Sequence, residues 1–310
     1  MSKILVLAGG SVKGAFQAGV MKAIMERGYQ PDAVYGVSAG SLNAAYFVNQ
    51  LGLQANSGEP ISFLQAAQDL WDFWETRITS PESLSKPFNI FQLGLSALRK
   101  KFRGLVDTQP LRNLLSEVIA IRNLHASPIG LKIGAVNIID GSIYYVDPSE
   151  EHFLEYLMAS SAVPILMPVV KINGESRRSF LDGGLRDVAP IKKAVEDGAS
   201  QIICISCHME SIEGGYFDTG NLLALVDRVM DIAVNEILNA DIREVMISNE
   251  RHPDSEIKRK KYQEIEHNKI NIQSIRPPQP LTIDIQKFNK MDIRRMLELG
   301  YQVGLDISIN

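Results

Sequence analysis

The sequence predicts an α/β fold with a mainly parallel central sheet and helices around it, and three observations carry that prediction. Lys3 to Ala8 is an apolar run, followed by Gly9-Gly10-Ser11-Val12-Lys13-Gly14 and then by Ala15 to Arg27 with Phe16, Val20, Ala23 and Ile24 at helical spacing. Ala33-Val34-Tyr35 is a second short apolar run, followed by Gly36-Val37-Ser38-Ala39-Gly40 and by Ser41 to Val48, a helix with small residues on its packed side. Later in the chain the helix Ile191 to Asp197, the strand Gln201 to Ser206 and the helix Leu222 to Met246 continue the alternation. Two consecutive strand-turn-helix units put both turns at the C-terminal edge of one parallel sheet.

The first turn admits two readings for nucleotide phosphates, and spacing rejects both. A dinucleotide fingerprint needs glycine where Ser11 stands, and a P-loop needs Lys-Ser/Thr where Ala15-Phe16 stand. A glycine loop feeding a helix also aims backbone N–H groups at a developing oxyanion, or merely allows tight packing. The second turn is Gly-x-Ser-x-Gly between strand and helix, the local signature of a nucleophile elbow. A serine on so sharp a turn requires Gly36 and Gly40, which lack Cβ atoms, on either side.

From Gly52 to Pro110 the pattern changes to a helical insertion. Ser62 to Ile78 is an amphipathic helix with Phe63, Leu70, Trp71, Phe73 and Trp74, and Phe88 to Phe102 is apolar with a basic end at Arg99, Lys100, Lys101 and Arg103. The insertion is compatible with a lid over an apolar pocket, with a peripheral membrane contact, or with aromatics that simply pack it onto the main body. A helix Leu111 to Arg122 follows, started by Pro110. Ile129 to Ile139 and Ser142 to Val146 form a hairpin on Asp140-Gly141. After a helix from Glu151 to Ser161, a second hairpin from Val169 to Leu181 delivers Asp182-Gly183-Gly184 to a loop, where the aspartate is either functional or a plain turn residue. Arg251 to Asn268 is strongly charged, with Lys258 to Lys261 in a row, and Leu281 to Ile285 and a helix Lys290 to Leu299 close the chain.

At 310 residues, 45% hydrophobic and 22% charged, the composition is that of a soluble globule with a sizeable core, read as one domain. Ile4 to Ala8 is too short for a signal-peptide core, and no run approaches about 18 apolar residues, so a cytoplasmic location is expected. A net charge of −4 argues against nucleic acid as a partner. Cys204 and Cys207 have no second Cys/His pair at zinc-like spacing, so buried thiols are expected and no metal.

Laid in order, the glycine loop 9–14, Gly36-Val37-Ser38-Ala39-Gly40, Ala159-Ser160-Ser161-Ala162-Val163-Pro164 and Asp182-Gly183-Gly184 resemble the motifs of the patatin-like phospholipases, over roughly residues 4 to 206. The resemblance implies a three-layer α/β/α fold and a lipid acyl hydrolase acting on phospholipids or other acyl lipids without a cofactor. It implies Ser38 as nucleophile and Asp182 as base. It also implies an oxyanion hole from Gly9, Gly10, Ser11, Val12, Lys13 and Gly14, which the N–H of Ala39 would join. Ser11 departs from the family's third consecutive glycine, whereas Lys13 matches its basic position. Only one strand precedes the elbow strand, unlike the ordinary α/β-hydrolases. Two rival expectations stand beside this one: a feebly active lipid-binding or regulatory protein, motivated by Ser11, and a Ser-Asp-His triad, for which His208 is the one suitably placed histidine.

Overall fold

The computed structural model of the protein describes residues 2–88, 104–211, 220, 222–250 and 270–308. The apolar run expected from Phe88 to Phe102, apart from Phe88 itself, and the charged segment expected from Arg251 to Asn268 lie outside the described residues.

In chain order the elements are β1 (Ser2–Leu7), α1 (Gly14–Glu26), β2 (Ala33–Val37), α2 (Ala39–Ser57), α3 (Phe63–Arg77), β3 (Lys86–Pro87), β4 (Val106–Asp107), α4 (Gln109–Val118) and α5 (Ile121–Ala126). Then come β5 (Gly130–Asn137), β6 (Ile143–Val146), α6 (Phe153–Ser160), β7 (Val170–Lys171), β8 (Ser179–Asp182), α7 (Ile191–Glu196), β9 (Ala199–Ile205), α8 (Leu222–Glu250), β10 (Asn271–Ile275) and α9 (Lys290–Asp306). Eight strands form one sheet in the order β10-β9-β1-β2-β5-β8-β7, with β6 paired to β5, while β3 and β4 make a separate two-stranded ribbon. Strands β10, β9, β1, β2 and β5 are parallel, and β6, β7 and β8 enter as the two antiparallel hairpins read from the sequence. β8 runs antiparallel to β5 as well, with Asp182 opposite Ala135.

Alternation along β1 explains the layers, because successive side chains of a strand point to opposite faces. Leu5 and Leu7 join a core with α1, α2, α3, α6 and α9. Ile4 and Val6 join a second core with α7 and α8. A strand buried on both faces reads as a continuous apolar run, which is how β1 announced itself.

Two elements differ from the sequence reading. The single helix expected over 111–122 is two, because Asn49 on α2 reaches both sides of a break: its Nδ2 donates to Val118 O at 3.1 Å and its Oδ1 accepts from Ala120 N–H at 2.9 Å. The sequence reading passes over β10, an edge strand with weak apolar content, and 281–285 is irregular chain that places Leu281 in the core. α2 continues through Gly52 to Ser57, and within the stretch read as a helical insertion Ala66, Ala67, Leu70 and Trp74 of α3 are buried in the main core. α3 begins where Ser62 Oγ accepts from Gln65 N–H, a side-chain cap of ordinary geometry.

Candidate active site

Ser38 sits between β2 and α2 at φ 56°, ψ −128°, a backbone conformation that side chains with a Cβ rarely adopt. The flanking glycines make the turn possible by close approach. A Cβ on Gly36 would lie 2.4 Å from Gly40 O, and one on Gly40 would lie 2.1 Å from Leu7 O in β1. Behind the serine, its N–H donates to Ser160 Oγ at 3.0 Å, and Ser160 Oγ donates in turn to Gly134 O at 2.7 Å. Its carbonyl accepts from Ser41 Oγ at 2.6 Å and from Ser161 Oγ at 3.5 Å.

Asp182, the last residue of β8, is 4% exposed and Ser38 is 7% exposed, so the carboxyl lies out of water beside the serine. Burial pushes its pKa up to about 6, against the Ser38 hydroxyl and the Gly184 N–H, which act as donors to the carboxylate and pull it down. The Gly184 N–H is 2.7 Å from Asp182 Oδ1, and Gly183 lies against Gly134 O of β5.

The glycine loop comes to the same place. Gly9 approaches Ser38, with 3.2 Å between a Cβ built there and the serine Cβ, and Gly10 packs on Cys207, where a Cβ would come within 2.5 Å. Ser11 takes φ 53°, the left-handed conformation that a glycine would adopt freely. Hydrogen bonding sorts the loop's amides. Gly9 N–H donates to Val188 O at 2.9 Å, Lys13 N–H to Gly10 O at 3.1 Å, and Gly14 N–H to Ser11 O and Val12 O. The N–H groups of Gly10, Ser11, Val12 and Ala39 have no acceptor among the described residues, and Ser11, Val12 and Ala39 line the cavity that opens beside Ser38. That cavity is apolar, running between α2, α3 and α4 past Leu42, Phe73, Trp74, Leu114, Leu115 and Met167.

Three other candidates lie apart from this arrangement. His208 Nε2 hydrogen-bonds Asp231 on α8 at 3.0 Å and makes no pair with Asp182. Cys204 and Cys207 are free and buried, and burial pushes both thiols up to about 12. Trp71 is turned away from the cavity, under Lys22 Nζ at 4.5 Å and edge-on to Tyr301.

With this geometry in hand, comparison with known proteins decides the family. Residues 5–195 match the family described as Patatin-like phospholipase. The chain belongs to the patatin-like phospholipase family. Its relatives include the uncharacterized protein YjjU of Escherichia coli K12, 28% identical over 204 residues, which cover 65% of this chain and 50% of that protein. VipD from Legionella pneumophila aligns in structure with a TM-score of 0.42 and 11% identity over 98% of this chain and 66% of that one. This patatin-like chain thus spans half the length of the curated relative it matches. Among the described residues, no helix is long and apolar enough to cross a membrane.

The patatin-like site also rests on residues the sequence did not single out by role. Gln17 Nε2 donates to Ala8 O and Ile205 O, its Oε1 accepts from Asn43 Nδ2, and Asn43 Oδ1 accepts from Trp74 Nε1 at 2.7 Å. This buried network ties the ends of β1 and β9 to three helices, with every member paired. The available signal was polarity: Gln17 and Asn43 are amides on otherwise apolar or small-residue helix faces. Ser160 and Ser161 were visible as a motif, but their contact with Ser38 spans more than a hundred residues.

Proposed function

We propose that the chain is a serine acyl hydrolase that cleaves carboxylic esters of phospholipids or other acyl lipids. The observation that carries the reading is a serine at an elbow whose hydroxyl faces a buried carboxyl poised near pH 6, at the head of an apolar cavity. Ser38 Oγ attacks the ester carbonyl carbon while Asp182 accepts its proton. The carbonyl oxygen, now negative, is held by the free N–H groups of Gly10, Ser11 and Ala39. Collapse of the tetrahedral intermediate expels the alcohol, which takes the proton from Asp182, and leaves an ester on Ser38 Oγ. Water then attacks that ester, gives its proton to Asp182 and releases the fatty acid, and Asp182 returns the proton to Ser38. The apolar cavity suits the acyl chain, and nothing in these steps calls on a histidine, since His208 is engaged with Asp231.

The test is hydrolysis of a panel of acyl esters by wild type and Ser38→Ala, with a fluorophosphonate probe mapped by peptide. Turnover that disappears in Ser38→Ala, with the label on Ser38 alone, is the expected result. Labelling that persists in folded Ser38→Ala removes the serine from its role.

A further inference from the structure

We infer that Asp231 is a positioning residue for the oxyanion loop, so that α8, which lies beyond the family match at 5–195, belongs to the catalytic apparatus. The inference rests on the reading of Ser38 as nucleophile and of the glycine loop as oxyanion donor.

One carboxylate joins three segments here. Both Asp231 oxygens accept from Lys13 Nζ at 3.0 Å, and Oδ1 also accepts from His208 Nε2 at 3.0 Å. Lys13 belongs to the short turn Ser11–Lys13 that follows Gly10, and its side chain is only 10% exposed. His208 stands next to Cys207, the residue against which Gly10 packs. The chain after β9 is fastened to α8 again by Asn235 Nδ2 to Met209 O and Asn239 Nδ2 to Glu210 O, both at 2.8 Å.

The loop is therefore held at two points. Gly10 is wedged on Cys207, and the far end of the turn is pulled to α8 through Lys13. An ammonium that is nearly out of water follows its counter-ion, because leaving it unpaired is costly. Between these anchors lie the Gly10 and Ser11 amides, whose direction decides whether they meet an oxyanion. A donor must sit within tenths of an ångström of its place to act on a transition state. Burial would raise the Asp231 carboxyl, but the His208 hydrogen bond and the Lys13 charge outweigh it and hold it at about 2. Asp231 is thus ionised throughout the range in which Asp182 titrates, and it is not among the groups that shift Asp182, so its loss should leave the pH midpoint of the reaction where it was.

The experiment uses the full chain and three measurements: kcat and KM on a soluble short-chain ester, the rate of fluorophosphonate labelling of Ser38, and Tm. Asp231→Asn should lower kcat and the labelling rate together by about 10- to 100-fold, with KM changed by less than about threefold and the pH midpoint unmoved. The double variant Lys13→Met/Asp231→Leu, which removes both charges and keeps apolar bulk, should recover Tm without recovering rate. The proposal is overturned if folded Asp231→Asn or the folded double variant works at wild-type rate, if rate and Tm return together, or if neither variant folds, since the pair is then structural only. A wild type that is neither active nor labelled at Ser38 is a separate result, and it removes the reading of the site and this inference together.

Discussion

In the proposed mechanism, burial of Asp182 favours the chemistry at the expense of stability. A carboxyl near pKa 6 is a better match for a serine proton than an ordinary aspartate, and the rate should rise with pH to a plateau above about 6 as the base ionises. The same shift destabilises the fold in the opposite pH direction. The native carboxyl keeps its proton up to about 6, whereas the unfolded one loses it near 4, so wild-type stability falls across that window and the full deficit remains at neutral pH. Asp182→Asn, which carries no charge, should be inactive yet more stable than wild type above pH 6 by something on the order of 2 kcal/mol, with the gain vanishing below about pH 4. Urea melts at pH 4 and pH 8 check it, and equal stability at both would refute the shift. Ser11 is the other residue held against its preference. At φ 53° it takes a conformation that glycine adopts freely, for about 1 kcal/mol of strain, and its N–H has no backbone acceptor among the described residues.

At the scale of elements, the elbow stands on α6 as much as on its own glycines. Ser160→Ala leaves the buried Ser38 N–H without its acceptor and should cost about 1–3 kcal/mol together with slower labelling of Ser38. A variant as stable and as reactive as wild type would show that the contact is idle. On α3 the aromatics divide by direction. Phe73 lines the cavity, whereas Trp71 packs under Lys22 and Tyr301. Phe73→Ala should hurt palmitoyl esters more than acetyl esters, since each methylene that loses apolar cover is worth about 0.8 kcal/mol. Trp71→Ala should lower Tm and leave chain-length preference alone. Equal selectivity in both variants would separate the cavity from the acyl chain. Legibility follows the same division. Gly36, Ser38 and Gly40 could be read because few residue types tolerate that backbone, and the first hairpin because Asp140-Gly141 marks its turn. Neither the cap that Asn49 provides between α4 and α5 nor the latch of Asp231 on Lys13 could be read, because each joins distant residues whose types are common on any surface.

For the whole molecule, the sheet order places the earliest strand in the middle. β1 pairs with β2, whose residues follow about one helix later, and on its other edge with β9, where Val6 stands opposite Cys204. The first part of the chain can build the β1-α1-β2-α2 unit from local contacts, yet the second edge of β1 stays open until β9, which starts at Ala199, has been made. On the ribosome that interval matters. Ile4 to Leu7, wholly buried in the finished protein, would present a bare apolar strand edge to any neighbouring nascent chain. Pairings over such separations form slowly. The arrangement that holds the glycine loop and the elbow side by side therefore makes unfinished chains the most association-prone form of this protein, and makes escort by a chaperone most useful until β9 has joined the sheet.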